Sequence, residues 1–145
     1  MIKKIKNLFR RDQVHVVAGN DLVFIPDVVH SVNLFGRRYL DFIFTESEIA
    51  NCTQNGFGPS AHRLAARLAA KEAVMKILRP KRHECLPWKA IEVCRNGDGL
   101  SHIRLHPPAT DFARRAGIDC ISLTMSHEQQ YASAVVIGTT RNTNY

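Results

Sequence analysis

The segment RLAARLAAKEAVMKIL, from Arg63 to Leu78, restricts the fold more than any other part of the chain. It is built from the strongest helix formers, holds neither glycine nor proline, and is stopped by Pro80. On a helical wheel its charges divide into two groups. Arg63, Arg67 and Lys71 recur at every fourth position and make one basic stripe. Glu72 and Lys76 fall on another arc, among Leu64, Ala65, Leu68, Ala69 and Met75, which is the arc expected to face the core. Taking an ion into apolar surroundings costs on the order of several kcal/mol unless it finds a partner. The pair is therefore either an ordinary surface Glu-to-Lys contact, worth about 0.2–0.5 kcal/mol, or part of a metal or phosphate site.

With 145 residues and 45% hydrophobic content, the chain suits one domain with a real core. No apolar run reaches the length of a transmembrane helix, and MIKKIKNLFRRD lacks the apolar stretch and cleavage site of a secretory signal, so a cytoplasmic location is expected. Cys52, Cys85, Cys94 and Cys120 show no metal-knuckle or disulfide spacing and are expected to be free buried thiols. A formal net charge of +7 points to an acidic partner. Lys3, Lys4, Lys6, Arg10 and Arg11 against Asp12 concentrate that charge at the start. Residues 1–13 read as a solvated basic extension, in preference to a membrane-surface or partner-binding helix, and residues 14–145 as a single domain. Basic and aromatic residues do not interleave in any nucleic-acid-reading motif, so no nucleic acid is expected as partner.

Pattern along the chain gives an α+β order. VHVVAGNDLVFI, from Val14 to Ile25, is apolar on both faces and reads as a buried strand. Pro26 and Asp27 suit a helix start, and the helical stretch runs to about Phe44 with a break near Gly36. TESE, at Thr45 to Glu48, has capping-box spacing. WKAIEVCRNGDGLSHIRLH reads as a hairpin about Asn96 to Gly99, PATDFARRAG as a brief helix stopped by Gly117, and CISLTMS and YASAVVIG as two closing strands.

Asp21 shares a strand face with Val17, Gly19, Val23 and Ile25, so a second acid heads inward. It is either a turn or bulge cap beside Gly19 and Asn20, or one half of an acid pair with Glu72. Two carboxylates in a poorly solvated place repel, and one takes up a proton unless a cation sits between them. One or two carboxylates, completed by water and phosphate oxygens, describe a Mg²⁺ site for a phosphorylated substrate. Lys76, one turn beyond Glu72, would then be a charge directed at phosphate.

AGNDLV, RLAARLAAKEAVMK, LPWKAIEV and LTMSHEQQYASAVVI, in this order, resemble the holo-acyl-carrier-protein synthase type of 4'-phosphopantetheinyl transferase, over about Val16 to Ile137. The resemblance implies an antiparallel sheet packed on a long helix and a homotrimer with each site between two subunits. It implies a Mg²⁺-dependent enzyme that transfers 4'-phosphopantetheine from coenzyme A to a serine of an acidic apo acyl carrier protein in fatty-acid or polyketide assembly. By position it implies Asp21 and Glu72 as metal ligands and Glu72 and Lys76 as catalytic residues. Arg67, Lys76, Ser126 and His127 resemble the positions that line coenzyme A, and Arg37 and Arg38 would keep a basic surface for the carrier. Read without the resemblance, His127 is a loop histidine.

The chain departs from the family pattern at three places. Phe24 stands where a glutamate is usual, Asp27 where many relatives carry an arginine, and the Arg79-Pro80 loop replaces a glycine-rich turn. These leave open a second class of function, a non-catalytic relative that docks an acidic carrier.

Overall fold

The computed structural model describes residues 14–53 and 56–141, so the basic extension expected over residues 1–13 lies outside the described residues. Strand β1 (Val14–Phe24) runs directly into helix α1 (Ile25–Phe35), whose first turn accepts Pro26 because its N–H would have no partner there. Gly36, at φ +54°, separates α1 from α2 (Arg37–Ile43), the break expected from its sequence. Helix α3 (Glu46–Cys52) opens on a complete capping box. The Thr45 hydroxyl accepts from the Glu48 amide at 3.2 Å, and the Glu48 carboxylate accepts from the Thr45 amide at 2.9 Å.

The alanine-rich segment forms α4 (Ala61–Leu78), ended by Arg79 in the left-handed region immediately before Pro80. A 3₁₀ turn (Trp88–Ala90) leads to β2 (Ile91–Arg95) and β3 (Ser101–Leu105), joined by the Asn96 to Gly99 turn. Then follow α5 (Ala109–Arg115), β4 (Cys120–His127) and β5 (Tyr131–Arg141).

Strands β1, β5 and β4 make an antiparallel sheet in that order, and β2 and β3 a separate hairpin. One face of the sheet lies on α4. Val17, Val23, Leu123, Ala134 and Val136 pack there against Ala69, Ala70, Ala73 and Ile77. The small alanines let helix and sheet approach closely, and Gly19 lies directly against the Ala73 carbonyl.

Three expectations are corrected. The β1 segment is not buried on both faces: Val16 and Leu22, on the face away from α4, are 61% and 62% exposed, because among the described residues no element covers that side. On α4 the burial of charge is also the reverse of expectation. Lys71, from the basic stripe, is fully buried and Arg67 nearly so, while Glu72 is only partly buried and Lys76 is exposed. The wheel assumed one core face, whereas α4 is covered on a second side by α3 and the segment leading into β2. There Lys71 Nζ lies 2.8 Å from Glu48 Oε2 and donates to the carbonyls of Trp88 and Ile91. Glu48 is held in turn by the Val93 amide at 3.0 Å, so both buried ions are fully coordinated. Finally, the four cysteines are free, but only Cys52 and Cys94 are buried; Cys85 and Cys120 are exposed.

Candidate active site

The carboxyl end of β1 carries Asp21 on the face that meets α4, where Glu72 and Lys76 project one helical turn apart. The antiparallel register sets Asp21 opposite Ala134, whose small side chain leaves room above the sheet. Asp21 is 13% exposed and Lys76 53%; the Lys76 ammonium lies 2.8 Å from Asp21 Oδ1 and donates to the Asn20 carbonyl at 2.6 Å. Thus one lysine bonds both the side chain and the backbone at the acid end of the strand.

Asp21 and Glu72 line one cleft of about 330 Å³, together with Phe24, Asp27, Leu68 and Tyr39. Partial burial first, and then the neighbouring Asp21 carboxyl, together push the Glu72 carboxyl up to about 7 against the opposing charge of Lys76. Burial, followed by the charge of Glu72, also raises the Tyr39 phenol. The donor set is therefore two carboxylates that compete for charge at one place. Among the described residues no third histidine, cysteine or carboxylate joins them in a metal-holding group. Two hard oxygen ligands with open positions fit Mg²⁺, which retains water and takes substrate phosphate oxygens.

The remaining sequence candidates lie apart from this cleft. His127, at the end of β4, packs at a tilt against His62, with ring centroids 5.4 Å apart, in a recess with Ser60, Arg63, Glu128 and Gln129. His62 begins α4, ten residues before Glu72, a separation of about 15 Å along the helix axis. Ser126 pairs with Ser133, on the sheet face turned away from Asp21. Within one chain these residues and the acid pair are not brought together. Arg67 is buried; it donates to the Arg63 carbonyl at 3.3 Å, and its Nε has no hydrogen-bond partner among the described residues. Arg37 is engaged with Asp41 at 2.7 Å and with Glu46. Arg38 lines an open apolar groove with Phe35, Tyr39 and Phe42.

One cleft residue was missed by sequence reasoning. Tyr39 carries no motif, and only the fold of α2 against α4 sets it beside Glu72, whereas Leu68 lies one turn before Glu72 on α4 itself. Phe24, noted as a departure, lines the cleft and packs on Tyr131 with ring centroids 5.2 Å apart.

Residues 18–136 match the sequence model of the 4'-phosphopantetheinyl transferase superfamily. Among curated proteins, a holo-[acyl-carrier-protein] synthase of Koribacter versatilis is 36% identical over 119 residues, covering 82% of this chain and 94% of its own. Among solved structures, holo-ACP-synthase from Plasmodium yoelii superposes with a TM-score of 0.75 at 23% identity, over 90% of this chain and 99% of its own. The Helicobacter pylori holo-[acyl-carrier-protein] synthase, solved in complex with coenzyme A, gives a TM-score of 0.71 at 24% identity, over 84% and 99%. At these identities the two structures support the fold.

Proposed function

Because the chain belongs to the 4'-phosphopantetheinyl transferase superfamily, we propose that it transfers 4'-phosphopantetheine from coenzyme A to a serine of an apo acyl carrier protein. Adenosine 3',5'-bisphosphate is released, and Mg²⁺ is the cofactor. The observation that carries this reading is the meeting of Asp21 and Glu72 in one cleft with Lys76 2.8 Å from Asp21.

The serine Oγ attacks the phosphorus that bears pantetheine; a new P–O bond forms as the bond to the bridging pyrophosphate oxygen breaks. Asp21 and Glu72 would hold the divalent ion, which supplies charge neutralisation on the pyrophosphate. Lys76, exposed and on a flexible stem, brings a further positive charge to the same phosphates. Glu72 takes the serine proton as general base. Partial burial and the neighbouring Asp21 carboxyl, which raise the Glu72 carboxyl in the metal-free chain, favour its taking up a proton. A relative that only bound the carrier would have no use for the acid pair.

The outer face of the sheet supports the assembly. Val16, Leu22, Val135 and Ile137 form an exposed apolar surface of the kind that another subunit covers. A homotrimer that buries it would set the His127 recess of one copy near the acid pair of the next, giving Ser126, His127 and Arg67 their place along coenzyme A. Arg38, beside the aromatic groove, is the better-placed of the two arginines to meet an acidic carrier. Residues 14–145 form the catalytic domain and residues 1–13 an appended basic extension. The reaction belongs to the cytoplasm, in fatty-acid or polyketide assembly.

Intact-mass analysis of an apo carrier incubated with the protein, coenzyme A and Mg²⁺ tests the reading. A gain equal to one phosphopantetheine supports it, and a carrier bound but unchanged in mass supports the non-catalytic alternative.

A further inference from the structure

We propose that Lys76 and the divalent cation compete for Asp21, so that entry of the ion expels the lysine from the strand and releases it toward the phosphates. The proposal rests on the reading of Asp21 and Glu72 as a metal pair, and it makes Lys76 a positioning residue as well as a phosphate-directed one.

The geometry carries it. The Lys76 ammonium bonds Asp21 Oδ1 at 2.8 Å and the Asn20 carbonyl at 2.6 Å, which fixes it at the carboxylate an ion would take. Asp21 is nearly buried, so it has few orientations in which to serve two cations. A divalent ion on either Asp21 oxygen would stand within a few ångströms of the ammonium, and like charges that close repel. The glutamate cannot yield instead, since it is the other half of the pair. Lys76 can, because its side chain is half-exposed and lies on the last turn of α4 with solvent beside it.

The consequence is coupling. A pyrophosphate that draws Lys76 away from Asp21 opens the acid pair to the cation, and a cation at the acid pair frees Lys76 for the pyrophosphate. The two ligands then assist each other through the lysine, beyond any direct bond between them.

Two measurements on the full chain, without coenzyme A, test this. In proton–nitrogen NMR of the lysine side chains, the Lys76 ammonium is assigned by its loss in Lys76→Met. In EDTA-treated protein it should exchange slowly with water, and saturating Mg²⁺ should shift it to the fast exchange of a solvated lysine. Manganese binding followed by electron paramagnetic resonance should tighten about fivefold in Lys76→Met, the equivalent of one exposed ion pair of about 1 kcal/mol. A Lys76 signal that Mg²⁺ leaves in place, or manganese affinity in Lys76→Met equal to or weaker than wild type, overturns the competition while the metal pair stands. Manganese that binds neither protein, or binds Asp21→Asn as tightly as wild type, removes the metal pair and the competition with it.

Discussion

The backbone of Gly19 in β1 lies directly against the carbonyl of Ala73 in α4. A Cβ at Gly19 would stand 2.3 Å from the Ala73 oxygen and 3.0 Å from Ile77 Cγ2. Gly19 is two residues from Asp21 on the same strand face, and Ala73 follows Glu72, so this one contact sets how closely the two acids approach.

Gly19→Ala must therefore push helix and strand apart. Overpacking of this kind costs about 1–3 kcal/mol, and the separated acids should lose manganese affinity and transfer activity together. Gly97→Ala, at a turn where an added Cβ meets nothing within 4 Å, is the control. Thermal unfolding and manganese titration of the two variants should differ in that order.

The acid pair also predicts a pH dependence of stability. Glu72 is raised from 4.5 to about 7 in the folded chain, so the folded state binds the extra proton in that interval. Its contribution to stability is complete below 4.5 and is lost as pH rises through about 7. Melting temperature in EDTA should fall over this range. Saturating Mg²⁺, by favouring the charged carboxylate, should flatten the decline, and Glu72→Gln should flatten it without metal while keeping the fold.

Lys71 is predicted to matter for folding rather than chemistry. Lys71→Met leaves the Glu48 carboxylate buried without its cation, a loss of about 3–5 kcal/mol. Adding Glu48→Gln should recover part of that loss, measurable by denaturant unfolding as a positive coupling between the two sites.

How far the sequence could be read follows from which of these contacts are local. The capping box at Thr45, the break at Gly36 and the turn at Asn96 to Gly99 involve neighbours in the chain, and each stands where the pattern set it. Asp21 and Glu72 could be paired because periodicity sets each on the side where its long element meets the other, although Glu72 is only partly buried there. Lys71 could not be read as buried, because its partner Glu48 and the carbonyls of Trp88 and Ile91 come from distant segments. Tyr39 was invisible for the same reason: its place in the cleft depends on how α2 docks. The apolar outer face of β1 misled, since the hydrophobic residues Val16 and Leu22 lie exposed there and not in the interior of the chain.

That face gives a fourth prediction. Leu22→Asp or Val135→Asp, both exposed in one chain, should leave the folded subunit intact and dissociate the assembly. Sedimentation velocity should show the proposed trimer for the wild type and a monomer for the variants, and the proposal that each site draws on two copies predicts that transfer activity is lost on dissociation.

The central claim is that the strand acid and the helix acid grip one divalent ion at the reacting phosphates. Crystals grown with manganese and coenzyme A, measured for anomalous scattering, test it most directly. A peak within coordination distance of both Asp21 and Glu72, touching the pyrophosphate, is the predicted result. Bound coenzyme A with no peak between those side chains, in crystals of protein that still modifies its carrier, would contradict it.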